Sequence, residues 1–200
     1  MLTLRILDST KEIEAKVNKA ISEHVNSVIA KKKSKLLIEC KNLVSGFILS
    51  QPEIISLNSS DVQSLRGQLG LPDTQAALAT SDIINAVESS VNVYFKKYSA
   101  NLKSGGIGVN FQPSEFANLL GLSSGHVIYE GGDLHWLSWL LLRGDETIVA
   151  GYYYDPTTGL GRSGLGTMKT GGVFRIPGDF SGTQDDNFIT RALIGKSQEL

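Results

Sequence analysis

Apolar side chains recur every three or four residues from Ile13 to Ile48, then at every second position from Val91 to Phe95 and from Ile107 to Phe111. The first period belongs to a helix with one apolar face and the second to a strand with alternating faces, so the chain must combine both. Ser9 with Glu12 three positions later forms a capping box, which marks a helix start by satisfying free N–H groups. Ile13, Val17, Ala20, Ile21, His24 and Val28 follow on one face. The run Lys31-Lys32-Lys33-Ser34-Lys35 interrupts this face, and Leu36, Leu37, Cys40, Leu43, Val44, Phe47 and Ile48 make a second amphipathic segment ended by Pro52. Residues 1–60 therefore read as a helical hairpin, with one long bent helix as the alternative. Two bare helices bury little, so this region is expected to pack on the remainder or on a neighbouring copy.

Beyond residue 60 the pattern is mixed. Leu65 to Asp73 reads as a turn-rich connection, and Thr80 or Ser81 as the cap of a short helix carrying Ile83, Ile84 and Val87. Val91, Val93 and Phe95, then Ile107, Val109 and Phe111, alternate on either side of Lys103-Ser104-Gly105-Gly106, which predicts a β-hairpin. Pro113-Ser114-Glu115 opens a short helix through Phe116 and Leu120. A further helix is expected from Asp133 through Leu142, apolar nearly all round and stopped by Gly144. Thr147–Tyr154 and Val173–Ile176 read as strands flanking a glycine-rich loop over 158–172, and a short helix is expected in the polar tail between Asp185 and Leu193. The expected class is α+β: an N-terminal helical hairpin, then a mainly antiparallel sheet or sandwich around a buried Trp-rich helix. Segments 1–60 and 61–200 are expected to form one structural unit, with the tail over 178–200 extended.

Lysine and arginine total 19 against 20 acidic residues, for a net charge of -1. A dedicated duplex-DNA binder needs an excess of cations, so this balance argues against one, although a local basic patch remains allowed. Cys40 is the single cysteine, which excludes an internal disulfide and a cysteine-based zinc site. The longest apolar run, Trp139-Leu140-Leu141-Leu142, is too short to cross a bilayer, and the first residues do not read as a signal peptide. No membrane association and no cofactor is expected.

Three motifs invite chemistry. Gly159-Leu160-Gly161-Arg162-Ser163-Gly164 matches the dinucleotide string, but the residues after it cannot start a helix to hold a pyrophosphate, so it reads as a wide hairpin loop. Gly121-Leu122-Ser123-Ser124-Gly125 matches a nucleophile elbow, yet a helix enters and a strand leaves, the reverse of what the elbow needs. Ser123 with His126, or Ser163, would serve a serine hydrolase, a disfavoured alternative. His24, His126 and His135 read as packed histidines, without a helix-borne metal pair. Lys31, Lys32, Lys33 and Lys35 read as a solvated face, with a DNA-facing or acidic-partner role as the alternative.

Four stretches carry a resemblance: Leu65–Leu71, Trp136–Asp145, Gly161–Met168, and Ser181-Gly182-Thr183 with Asp186–Leu193. In that order and spacing, from about residue 50 onward, the chain resembles a family of virion structural proteins of tailed bacteriophages, of the neck or tail-completion type. The resemblance implies a non-enzymatic, ring-forming component of the head–tail connection, located in the virion. Its implied partners are further copies of itself and virion proteins such as portal, adaptor, tail tube or sheath, with passing contact to DNA. Candidate interface residues on this reading are Gly159, Gly161, Arg162, Gly164, Phe180, Phe188 and Arg191, in a loop and tail that would order on assembly.

Overall fold

A computed structural model describes residues 8–111, 116–129, 132–159 and 161–194. The elements run α1 (Thr10–Leu49), α2 (Pro52–Leu57), α3 (Leu65–Gln68), α4 (Asp73–Ser90), β1 (Asn92–Lys96), β2 (Gly106–Asn110), α5 (Ala117–Leu120), β3 (Val127–Tyr129), β4 (Gly132–Leu134), α6 (Trp136–Ser138), β5 (Val149–Asp155), β6 (Thr167–Phe174) and α7 (Phe188–Ile194). The class is α+β, with a long N-terminal helix and small antiparallel sheets. Pairing is confined to three separate hairpins, β1–β2, β3–β4 and β5–β6, so there is no continuous sheet or sandwich among the described residues. Contacts divide the chain into a smaller unit, Met1–Cys40 with Val91–Asn110, and a larger one, Lys41–Ser90 with Phe111–Leu200. The division falls inside α1 and not near residue 60.

The expected helical hairpin is instead a single helix of 40 residues. Its capping box forms: the Ser9 amide and hydroxyl both donate to Glu12 Oε2 at 2.7 Å, and the Glu12 amide donates to Ser9 Oγ at 3.3 Å. The lysine run does not break it, because lysine is a good helix former whose charge stays in water, and no glycine or proline intervenes before Gly46. In the smaller unit the β1–β2 hairpin is tied to α1 through Asn26. Its Nδ2 donates to the Tyr98 carbonyl at 3.0 Å, and its Oδ1 accepts from the Tyr98 amide at 2.8 Å. Tyr94 stands opposite Gly108 in the ladder, its ring filling the space a side chain at Gly108 would need.

In the larger unit, α4 begins at Asp73, seven residues before the expected cap at Thr80, which lies buried within the helix. Trp136, Leu137, Leu140 and Leu141 are fully buried, as the all-round apolar pattern required. The helix carrying them is shorter than expected, however. Residues 132–134 form β4, and the α-helical turn passes into a π-helical one over Trp139–Arg143 before Gly144. The segment Pro113–Glu115, read as a helix start, lies outside the described residues.

The described part of the C-terminal segment, 178–194, is not an extended tail, and the short helix expected between Asp185 and Leu193 forms as α7. Phe188, Ile189 and Ala192 on α7 are wholly buried, and the Asn187 side chain donates to the carbonyls of Leu141 at 3.3 Å and Thr183 at 2.8 Å while its Oδ1 caps the Thr190 amide at 3.0 Å. The glycine-rich loop is also tighter than expected. Strand β6 starts at Thr167 and runs through Gly171 and Gly172, whose φ angles of +110° and +75° few side chains adopt. They sit opposite an irregularity between Ala150 and Tyr152 that lets the ribbon twist.

Asp155 closes the β5 end of this ribbon. Its carboxylate pairs with Lys169 across the strands and accepts from the Thr157 hydroxyl and amide at 2.6 and 2.8 Å. The Lys169 ammonium first, then Thr157, hold the carboxyl down from its ordinary 3.8 to about 2. A lowered folded value means the folded state binds fewer protons, so this contribution is complete above pH 3.8 and lost as pH falls towards about 2. Asp155→Asn is expected to lower the urea midpoint at neutral pH, with the gap to the parent closing across that window. A gap that stays constant down to pH 2 would show that the pair contributes nothing.

Candidate interaction surface

The face of α1 that sequence periodicity assigns to a core is open to solvent. Ile13, Val17, Ile21 and Val28 are 40, 50, 44 and 39% exposed. The side of the helix turned inward carries Ser22, which is buried, and the part-buried Val25, Asn26, Ile29 and Leu36. From Thr10 to Ile21 every residue but the part-buried Asn18 is exposed, so the first turns of α1 stand largely in water. An uncovered stretch of helix gains little from propensity alone, and β-branched side chains do not favour it. The stripe is read correctly as an apolar face; what the sequence could not tell is that nothing in the described chain covers it.

Beside this stripe the smaller unit has a groove of about 400 Å³ between α1 and the β1–β2 hairpin. Its floor is apolar, built from Val28, Leu36, Val93 and Phe95, and Ile107 forms part of its wall. Lys32, Lys33 and Lys35 stand at the edge with Glu39 as the one acidic lining residue. Lys31, the fourth of the lysines singled out above, is exposed but does not line it. The cluster is therefore not a bare charged strip: its lysines frame an apolar trough.

The other expected interface residues are mostly committed within the chain. Phe188 is 0% exposed, a core residue and not a surface anchor. Arg191 is paired with the wholly buried Glu53 and, at 2.8 Å, with Asp186. Phe180 is half-buried in a turn, its amide donating to the Pro177 carbonyl at 2.9 Å. Arg162 braces the glycine-rich loop: its Nε donates to the Gly70 carbonyl at 2.9 Å and its Nη1 to that of Ile128 at 3.1 Å. Gly161 lies so close to the Gly166 carbonyl that a Cβ there would overlap it, while Gly159 and Gly164 remain exposed. The loop is a folded element with two open glycines, and Leu160 lies outside the described residues.

The serine motif lies by a histidine cluster that sequence spacing did not reveal. The β3–β4 register sets Asp133 opposite Ile128, which brings it to His126: Nδ1 lies 2.9 and 3.1 Å from the two carboxylate oxygens. The His126 ring stacks on His135 with centroids 4.0 Å apart. Burial, then the neighbouring His126, push the His135 imidazole below its ordinary value. The His126 amide donates to the Ser123 carbonyl at 3.3 Å, but neither serine hydroxyl is hydrogen-bonded to the His126 ring, and the Ser124 hydroxyl is buried without a partner. The Ser163 hydroxyl accepts from the Leu165 amide at 3.3 Å, a local turn. Among the described residues no group of three or more His, Cys, Asp or Glu is placed to hold a metal ion, and no helix is long and apolar enough to cross a membrane.

These features define an α+β protein whose most distinctive surface is an uncovered apolar helix face beside a lysine-edged groove. No family model, no curated protein and no solved structure matches the chain.

Proposed function

We propose that the chain is a structural subunit of a protein assembly, a ring-forming virion component of the head–tail connection of a tailed bacteriophage, either neck protein or tail terminator. The observation that carries the assembly half of this reading is the open apolar face of α1. Four β-branched side chains aligned along one helix and left 39–50% exposed are a surface that association would cover. The virion half rests on the resemblance of the stretches at 65–71, 136–145, 161–168 and 181–193. Its partners on this reading are further copies, then portal, adaptor, tail tube or sheath, with DNA passing and not held.

Size-exclusion chromatography with light scattering is expected to give a defined multiple of 21.6 kDa. A chain that stays monomeric at every concentration and binds no virion component would end the reading. The nucleic-acid alternative has one observation in its favour, the exposure of Lys31, Lys32, Lys33 and Lys35 together. It requires steeply salt-dependent DNA affinity that disappears when these lysines are reversed in charge.

A further inference from the structure

We infer that the first turns of α1 of one copy seat in the lysine-edged groove of the next copy, head to tail. This inference takes from the assembly reading only that the occupant is a second copy; which surfaces meet is argued from the smaller unit alone.

The groove is long enough to take the ridge. Ile13, Val17 and Ile21 sit at four-residue steps, a ridge about 12 Å long, and the groove follows α1 from Val28 to Glu39, about 16 Å. They match in chemistry: branched aliphatic side chains above, a floor of valine, leucine and phenylalanine below. They also match in charge. Around the ridge, from Asp8 to Glu23, the acids Asp8, Glu12, Glu14 and Glu23 exceed the lysines Lys11, Lys16 and Lys19 by one, with Lys16 paired to Asp8 at 2.5 Å and Lys19 to Glu23 at 4.0 Å. Around the groove Lys32, Lys33 and Lys35 outnumber Glu39. Opposite potentials of this kind steer encounter and fix register.

The two surfaces cannot meet within one chain. Val17 and Lys32 lie fifteen residues apart on one uninterrupted helix, about 22 Å along its axis, so the ridge cannot fold back into its own groove. Each copy thus offers one ridge and, further along the same helix, one groove. Made in one direction only, the contact is heterologous, and repeating it either closes a ring or continues as a filament.

The test uses the full chain and two variants that each remove one side. Val17→Glu/Ile21→Glu damages the ridge, and Lys35→Glu/Ile107→Glu damages the groove; Val17, Ile21 and Ile107 are 50, 44 and 47% exposed, so folding should persist, checked by far-UV circular dichroism. By light scattering the parent is expected to be oligomeric and each variant alone monomeric. An equimolar mixture is expected to form a dimer and go no further, because only one intact ridge and one intact groove remain. If the parent assembles and the ridge variant keeps its mass, or if the mixture stays monomeric, the head-to-tail contact is refuted while the assembly reading stands. A monomeric parent removes both.

Discussion

Phe188→Ala is expected to destabilise the larger unit by about 3–5 kcal/mol, read as a lower urea midpoint, because removing a fully buried ring leaves a cavity as well as losing its transfer free energy. The ring lies on α7, whose neighbour is the π-helical turn after Trp136. The approach to that turn is closed by backbone bonds on both sides: the Gly182 amide donates to the Trp139 carbonyl at 3.1 Å, and the Gly144 amide to that of Gly182 at 2.8 Å. If Phe188 were instead an anchor for a neighbouring subunit, truncation would leave the monomer's midpoint unchanged and lower only its oligomeric mass. The two outcomes separate a core residue from an interface residue in one pair of measurements.

Arg191→Met is expected to cost about 2–3 kcal/mol near neutral pH, because it strips the partner from a carboxylate with no access to water. The figure is at the low end for such a change since Arg191 is itself over a third exposed and water can take part of its place. Burial above all holds the Glu53 carboxyl above its ordinary 4.5 even with Arg191 beside it. A raised folded value favours the protonated form, so the penalty is absent below pH 4.5 and grows as pH rises through the folded value. Without the guanidinium that value rises further. The defect should therefore shrink in acid, and Glu53→Gln added to Arg191→Met should recover much of it. A loss independent of pH, and unrelieved by the second substitution, would mean that the arginine acts through packing alone.

The class was legible because each period announces its own element. Val93 and Phe95 alternate as a strand must, and Trp136 to Leu141 is apolar on every side as a buried turn must be. The α1 stripe was legible as a pattern and misleading as a location, since periodicity says which residues share a face and not what lies against it. Lys31 to Lys35 read as an interruption because their charge breaks the apolar stripe, although lysine is a good helix former. Gly171 and Gly172 concealed a strand, being residues that weaken one and are admitted only where the backbone twists. The His126–Asp133–His135 cluster depends on the β3–β4 register, which no single sequence motif marks. Phe188 and Arg191 read as interface residues because their segment is polar overall; three buried positions in seven residues of helix are enough to seat it.

The confinement of β pairing to three neighbouring-strand ribbons bears on how the chain reaches this state. Every ladder joins strands adjacent in sequence, so none waits on the closure of a long loop, and each ribbon can zip within microseconds of collapse. The longest closure comes with the seating of α7, where Arg191 must find Glu53 across a separation of 138 residues. Until that happens Trp136 and its neighbours lack their final cover, and the nascent larger unit is most exposed to sticking to other chains at this stage.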